Sequence, residues 1–407
     1  MILKNKLLGA ILLISGTTIG AGMLALPVMT GFGGFSPSII QLFFCWLYML
    51  GASFLYLEVN MAFKGEKNLI SLSEKTLGKW AKIVAWVAYL LLLYSLTAAY
   101  IAGSAGIFSK AVHSVTGFFL PAYIAPLPLI IFFGLFIYMG AKSADYVNRI
   151  LMLGLFIAYI ILSFYMPKHV EFNLLSHFDF KASFLAVPVI ITSFGYNIIL
   201  PTLTTYLDHN RKKLALSIII GSIIPLLIYI LWEFLTLGVV PLFGEYSLKA
   251  AYIKGESSTE PLIFILKNVL KKPWIGNIAS LFSFCAIITS FIGVSLSLAD
   301  FLRDGLKIKR SHGGRLIAVL LTYVPPLLFV LYYPRAFITA LQYAAIFVAI
   351  ILCIFPALMA YKIPGPNIYR NFWGRALIFA VLVISLYIIG MDVFEGNLKN
   401  LIDTYIK

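Results

Sequence analysis

Two segments of this chain place glycine, small hydroxyl residues and proline inside long apolar runs. The first reads Ser15-Gly16-Thr17-Thr18-Ile19-Gly20-Ala21-Gly22-Met23-Leu24-Ala25-Leu26-Pro27, and the second Thr192-Ser193-Phe194-Gly195-Tyr196-Asn197-Ile198-Ile199-Leu200-Pro201. Glycine and proline weaken a helix at such points. Where a helix breaks inside a bilayer, the freed amides and carbonyls must face protein, water or a ligand. Amides opening an outer half-helix, here at Ala21, Gly22 and Met23, attract an anionic group. Carbonyls closing a half-helix, here at Thr17, Thr18, Ser193 and Phe194, attract a cation. Packing is the alternative, because Gly16-x-x-x-Gly20 also lets two helices approach closely.

Ionisable side chains within apolar runs are the second kind of chemistry. Burial there is costly, so such a group points to ion or proton binding, or to a hydrogen bond with a neighbouring helix. Glu58 and Glu233 lie well inside apolar runs, whereas Asp208 and Asp300 read as surface groups. His113, His169, His177, His209 and His312 all read as loop residues, and no metal-ligand spacing is found. No metal or cofactor is expected.

The elements that must position these groups follow from composition. Of 407 residues, 61 % are hydrophobic and 12 % charged, and the mean hydropathy is +0.97. Soluble domains are about half apolar and a quarter charged, so a soluble fold, a disordered chain and a disulfide scaffold with only three Cys are all excluded. Eleven apolar runs are long enough to span: roughly 7–30, 35–63, 83–109, 125–141, 147–166, 183–205, 214–240, 274–300, 315–333, 336–359 and 373–393. They are apolar on all sides, which implies helices rather than barrel strands. Lys4 and Lys6 ahead of the first run imitate a signal peptide, but the run continues through Gly20, Gly22 and Pro27 without a cleavage site.

The formal charge of +15 fits basic cytoplasmic loops better than nucleic acid. With the N-terminus inside, 20 of the 31 Lys and Arg fall on the cytoplasmic side and 11 outside, so the C-terminus is expected outside. Ser71-Leu72-Ser73-Glu74 has the capping-box pattern of an interfacial helix, and Pro261–Leu270 reads as a short helix in the longest loop. The interrupted runs are the first and the sixth, so corresponding points lie five spans apart, an odd number, and the two runs have opposite directions. The expectation is an all-α polytopic membrane protein with an inverted five-plus-five repeat, helices 1 and 6 discontinuous and an eleventh helix outside the repeat. Its divisions fall at 1–166, 167–182, 183–359 and 360–407. Paired interruptions point to a secondary transporter's binding site. Selectivity-filter, catalytic and GxxxxGK[ST] patterns are not found, which argues against a channel, an enzyme and ATP-driven transport. A sensor on a transporter fold stays open.

Gly16-Thr-Thr-Ile-Gly-Ala-Gly-Met-Leu-Ala-Leu-Pro27 resembles the first-span signature of the bacterial hydroxy/aromatic amino acid permeases. Leu57-Glu-Val-Asn60, Ala99-Tyr-Ile-Ala-Gly103 and Thr289-Ser290-Phe-Ile-Gly293-Val-Ser-Leu-Ser-Leu-Ala-Asp300 agree in order and spacing. The resemblance implies a LeuT-like fold in a bacterial inner membrane and proton-driven import of tyrosine, tryptophan or phenylalanine. It maps the carboxylate site onto Ala21 and Gly22, and the two broken spans with the aromatics beside them extend the substrate-binding candidates to Thr17, Thr18, Gly20, Met23, Tyr100, Ser193, Phe194, Gly195, Tyr196 and Asn197. Asn197 departs from the basic or aromatic side chain expected there, which bears on substrate choice. Tyr94 and Tyr343 are further aromatic candidates. In the wider superfamily a sodium site joins first-span carbonyls to a hydroxyl pair, and Gly16, Ile19, Thr289 and Ser290 fall on those positions. Proton coupling through Glu58 or Glu233 and sodium coupling both stay open on the residues alone.

Overall fold

The computed structural model describes residues 6–393 except 64–67, 140, 255–259, 271, 310, 334–335, 364–368 and 370. Every regular element among the described residues is helical. In chain order these are α1 (Lys6–Thr18), α2 (Gly22–Thr30), α3 (Phe35–Ala62), α4 (Leu69–Leu77), α5 (Lys79–Thr116), α6 (Leu127–Met139) and α7 (Ala141–Tyr165). Short α8 (Phe172–Leu175) and α9 (Phe180–Ser183) lead into α10 (Val187–Ser193), α11 (Leu200–Tyr206) and α12 (Arg211–Val239). Then come α13 (Leu248–Lys254), α14 (Glu260–Val269), α15 (Pro273–Gly305), α16 (His312–Tyr332), α17 (Ala336–Val348), α18 (Phe355–Lys362) and α19 (Phe372–Val393).

Nine described helical stretches are long and apolar enough to cross a membrane, and the bent pair α1–α2 makes ten. The run 125–141 was expected to span, but its helix α6 has 13 residues, about 20 Å of rise. That falls short of a hydrocarbon core of about 30 Å. Two amphipathic pieces lie outside the spans. Helix α4, expected at the membrane interface, is capped by Asn68, whose side chain accepts from the Ser71 amide at 2.9 Å. Ser71 is therefore not the cap that the Ser71–Glu74 pattern suggested. The loop helix forms as α14, while Ser258 and Thr259, ahead of it, lie outside the described residues. His113 is not in a loop but in the last turn of α5.

The bundle core sits where α15 packs against α5 and α7, α17 against α5 and α10, and α12 against α1 and α3. Prolines inside these helices set its polar connections. A proline cannot donate to the carbonyl four residues before it, and in an apolar interior that carbonyl needs another donor. Pro27 frees Met23, and the Trp232 indole Nε1 donates to its carbonyl at 3.0 Å. Pro225 frees Gly221, reached by the Ser15 hydroxyl at 2.9 Å. Pro325 frees Leu321, reached by the Tyr94 hydroxyl at 2.9 Å. The first two of these tie α12 to the broken first span.

Candidate substrate site

The first span breaks at residues 19–21, and its halves α1 and α2 are bent by 53°. The Met23 amide turns back to the Gly20 carbonyl at 3.2 Å and that of Leu24 to Ala21 at 3.1 Å, tightening the turn that opens α2. The sixth span changes character rather than direction. After α10, Phe194 leaves helical geometry (φ −95°, ψ 22°), residues Gly195–Ile199 form a 3₁₀ turn, and α11 resumes. At the crossing of the two breaks, a Cβ built on Gly22 would lie 3.3 Å from the Ser193 Cβ and 3.4 Å from its Cα. A side chain at position 22 would force the two spans apart, which is why this approach needs glycine.

A cavity of about 100 Å³ lies between the breaks. Thr17, Thr18, Gly20, Ala21, Gly22, Tyr100, Ser193, Gly195 and Ser290 line it, so the structure brings these residues together around one space. Apolar walls come from Leu92, Leu96, Ile198, Val294, Leu341 and Val348, none of which stands out in the sequence from any other apolar residue. Below Ile198 and Leu352 a second cavity of about 460 Å³ runs to the end of the bundle that carries Asp300 and Asp304.

Other residues singled out in the sequence face elsewhere. The Asn197 side chain is fully buried against α3 and the π-helical segment Ala349–Ile354 that precedes α18. Its Oδ1 accepts from the Ser53 hydroxyl, and its Nδ2 lies 3.4 Å from the Met49 carbonyl and 3.3 Å from that of Leu352. Tyr196 is drawn the same way, with its hydroxyl oxygen 2.9 Å from the Ser53 Oγ. Phe194 is fully buried, edge-on to Tyr229 with ring centroids 5.2 Å apart. Met23 is buried and presents its carbonyl to Trp232. Tyr94 serves Leu321, and Tyr343 packs against Phe329. None of these belongs to the lining of the central cavity.

The freed backbone groups already have partners. The Ala21 amide donates to the Ser290 hydroxyl at 3.1 Å. The Thr18 carbonyl accepts from the Tyr229 hydroxyl at 2.7 Å, and the Ser193 carbonyl lies 3.2 Å from the same oxygen. Tyr229 went unnoticed in the sequence, although Tyr229, Trp232 and Glu233 are spaced to share one face of α12.

The ion-coupling candidates separate clearly. Glu58 accepts from Arg211 at 2.7 Å near the end of α3, with 12 % of its side chain exposed. Among the described residues the fully buried Glu233 hydrogen-bonds a hydroxyl alone, with its Oε2 2.5 Å from Thr30 Oγ1. Its Oε1 has no hydrogen-bond partner among the described residues. Thr289 turns its hydroxyl to the Cys285 carbonyl at 2.8 Å, one residue before Ser290. Gly16 sits beside Met152, and Ile19 closes its turn on the Ser15 carbonyl. At the surface, the Lys6 ammonium 2.6 Å from Asp208 holds that carboxyl below its usual range. Among the described residues no group of three His, Cys, Asp or Glu side chains is placed to hold a metal.

Known proteins resemble the chain along most of its length. It is 34 % identical over 391 residues to "Tyrosine-specific transport system 2" of Haemophilus influenzae, covering 94 % of this chain and 95 % of that one. It is 30 % identical to the "Low affinity tryptophan permease" of Escherichia coli, covering 94 % and 93 %. Among solved structures, that of MhsT in complex with L-phenylalanine superposes with a TM-score of 0.61 at 13 % identity, covering 95 % of this chain and 98 % of that one. That likeness assigns the LeuT fold, in keeping with the inverted repeat expected from the two interrupted spans. Residues 3–392 match the tryptophan/tyrosine permease family, whose members are membrane transporters rather than enzymes, and the chain belongs to that family.

Proposed function

We propose that this protein imports aromatic amino acids, tyrosine foremost, by proton symport with alternating access across a bacterial inner membrane, its N-terminus cytoplasmic and its C-terminus outside. The single observation that carries the proposal is the convergence of two broken spans, in a chain of this family, on one cavity holding Ala21, Gly22, Tyr100 and Ser290. The substrate carboxylate would meet the opening amides of α2 by displacing the Ser290 hydroxyl from Ala21. Its ammonium would meet the carbonyls closing α1 and α10, where two half-helix dipoles present their negative ends. The aromatic ring would lie among Tyr100 and the apolar walls, where close packing favours a large flat side chain.

Glu233 is the better proton carrier of the two carboxyls, because Glu58 already has a cationic partner in Arg211. An unpaired carboxylate in a dry interior is costly, so a group placed like Glu233 binds a proton unless water reaches it. Motion of α2 relative to α12 would expose it. A sodium-coupled reading keeps one observation in its favour, the position of Ser290 against the break at Ala21. The repeat divisions at 166 and 183 belong to the same proposal.

Purified protein in sealed liposomes tests the reading. Labelled tyrosine should accumulate under an imposed proton gradient, with tryptophan and phenylalanine competing and leucine not. Accumulation driven only by sodium moves coupling to Thr289 and Ser290. No accumulation under either gradient overturns the proposal.

A further inference from the structure

Tyr229 is fully buried on α12, and its hydroxyl sits between the two breaks. The Thr18 carbonyl at 2.7 Å ends α1, and the Ser193 carbonyl at 3.2 Å ends α10. Two helix C-termini, each carrying a partial negative charge of about half an electron, therefore face one another across a single donor. A hydroxyl has one proton, so it can satisfy one of the two carbonyls fully at any moment. The ring is held against Phe194, 5.2 Å away and edge-on, which aims the oxygen at the gap.

We infer that the Tyr229 hydroxyl is an internal stand-in for the substrate's ammonium: it donates to the half-helix carbonyls, one at a time, while the site is empty and is displaced when an amino acid binds. The inference rests on the amino acid transport reading and adds a residue to it. A symporter must return empty, and on that leg the carbonyls of Thr18 and Ser193 would otherwise lie buried with no donor, which is unfavourable. The substrate ammonium brings three donors to the same place and replaces the hydroxyl. Tyr229 is thus a positioning residue of the empty state.

Tyr229→Phe keeps the ring and removes the donor. Because the lost hydrogen bond exists only in the empty protein, L-tyrosine should bind the variant about fivefold more tightly than it binds wild type. The melting temperature should fall for the empty variant and fall less with tyrosine bound. The gain should vanish for 3-(4-hydroxyphenyl)propionate, which has the carboxylate and ring but no ammonium. In liposomes, tyrosine exchange should persist while net uptake slows, since only net uptake includes the empty return. Equal or weaker tyrosine binding by the variant, with the same melting loss in both states, overturns the inference while leaving the transport reading standing. Wild type that binds no aromatic amino acid overturns both. If Tyr229→Phe does not fold, 3-fluorotyrosine placed at position 229 gives the same test. Its fluorine resonance should move with tyrosine and not with the deaminated acid, and an unmoved resonance overturns the inference.

Discussion

Replacing Trp232 with Phe removes the indole donor to the Met23 carbonyl while keeping an aromatic ring in place. Both residues are essentially buried, Met23 fully and Trp232 to within 1 %, so water cannot substitute. The carbonyl depends on that donor because Pro27 has no amide to offer it. Leaving a buried acceptor unpaired costs about 1–3 kcal/mol, and interhelical hydrogen bonds measured in membranes reach about 1.7 kcal/mol. The smaller ring adds a packing loss of its own, which a single variant cannot separate. Pro27→Ala separates it. Alanine restores an amide four residues after Met23, so the indole becomes redundant and only the packing loss remains. The cycle of Trp232→Phe with Pro27→Ala should therefore show a coupling of about 1–2 kcal/mol, the indole mattering more when residue 27 is proline. Unfolding of the four variants in mixed micelles, titrated with dodecyl sulfate, measures it. If Trp232→Phe costs the same with proline or alanine at position 27, the indole is not answering the proline and the account of this joint is wrong.

Three further outcomes follow from the site. Glu233→Gln cannot exchange a proton, so proton-driven accumulation of tyrosine should be lost while exchange of internal for external tyrosine continues; full concentrative uptake by the variant would remove Glu233 from the coupling scheme. Gly22→Ala places a methyl 3.3 Å from the Ser193 Cβ and should weaken tyrosine binding at least about tenfold without loss of expression, with partial recovery on adding Ser193→Gly; unchanged affinity would show that the breaks do not touch through this pair. Arg211→Gln removes the cation from Glu58, whose side chain is only 12 % exposed, so stability should fall by about 1–3 kcal/mol while the KM for tyrosine should stay within twofold. A KM shift of tenfold or more would place that pair in the transport path.

What was legible in the sequence is local. The glycines at 20 and 22 and the proline at 27 announce a break because their effect on the backbone does not depend on what packs nearby, and the break lies at 19–21. The direction in which a side chain looks is not local. Asn197 sits in the interrupted segment, yet the 3₁₀ turn over Gly195–Ile199 rotates it toward Ser53 and Leu352, away from the cavity. The cap of α4 failed for a similar reason, because Asn68 and Ser71 both fit a capping pattern and only the extended backbone of Asn68 (φ −79°, ψ 166°) decides between them. Prolines lie between these cases. Each declares that a carbonyl four residues earlier needs a donor, but Trp232, Ser15 and Tyr94 are 209, 206 and 227 residues distant from the carbonyls they serve. The demand is written locally and answered by the fold. That asymmetry explains why both ends of the first break were readable while Tyr229 and Trp232, the residues that answer it, were not. It also gives a rule for chains of this kind: a Trp or Tyr on an otherwise apolar span should be matched first against the carbonyls that breaks and prolines leave open, and only then against the substrate.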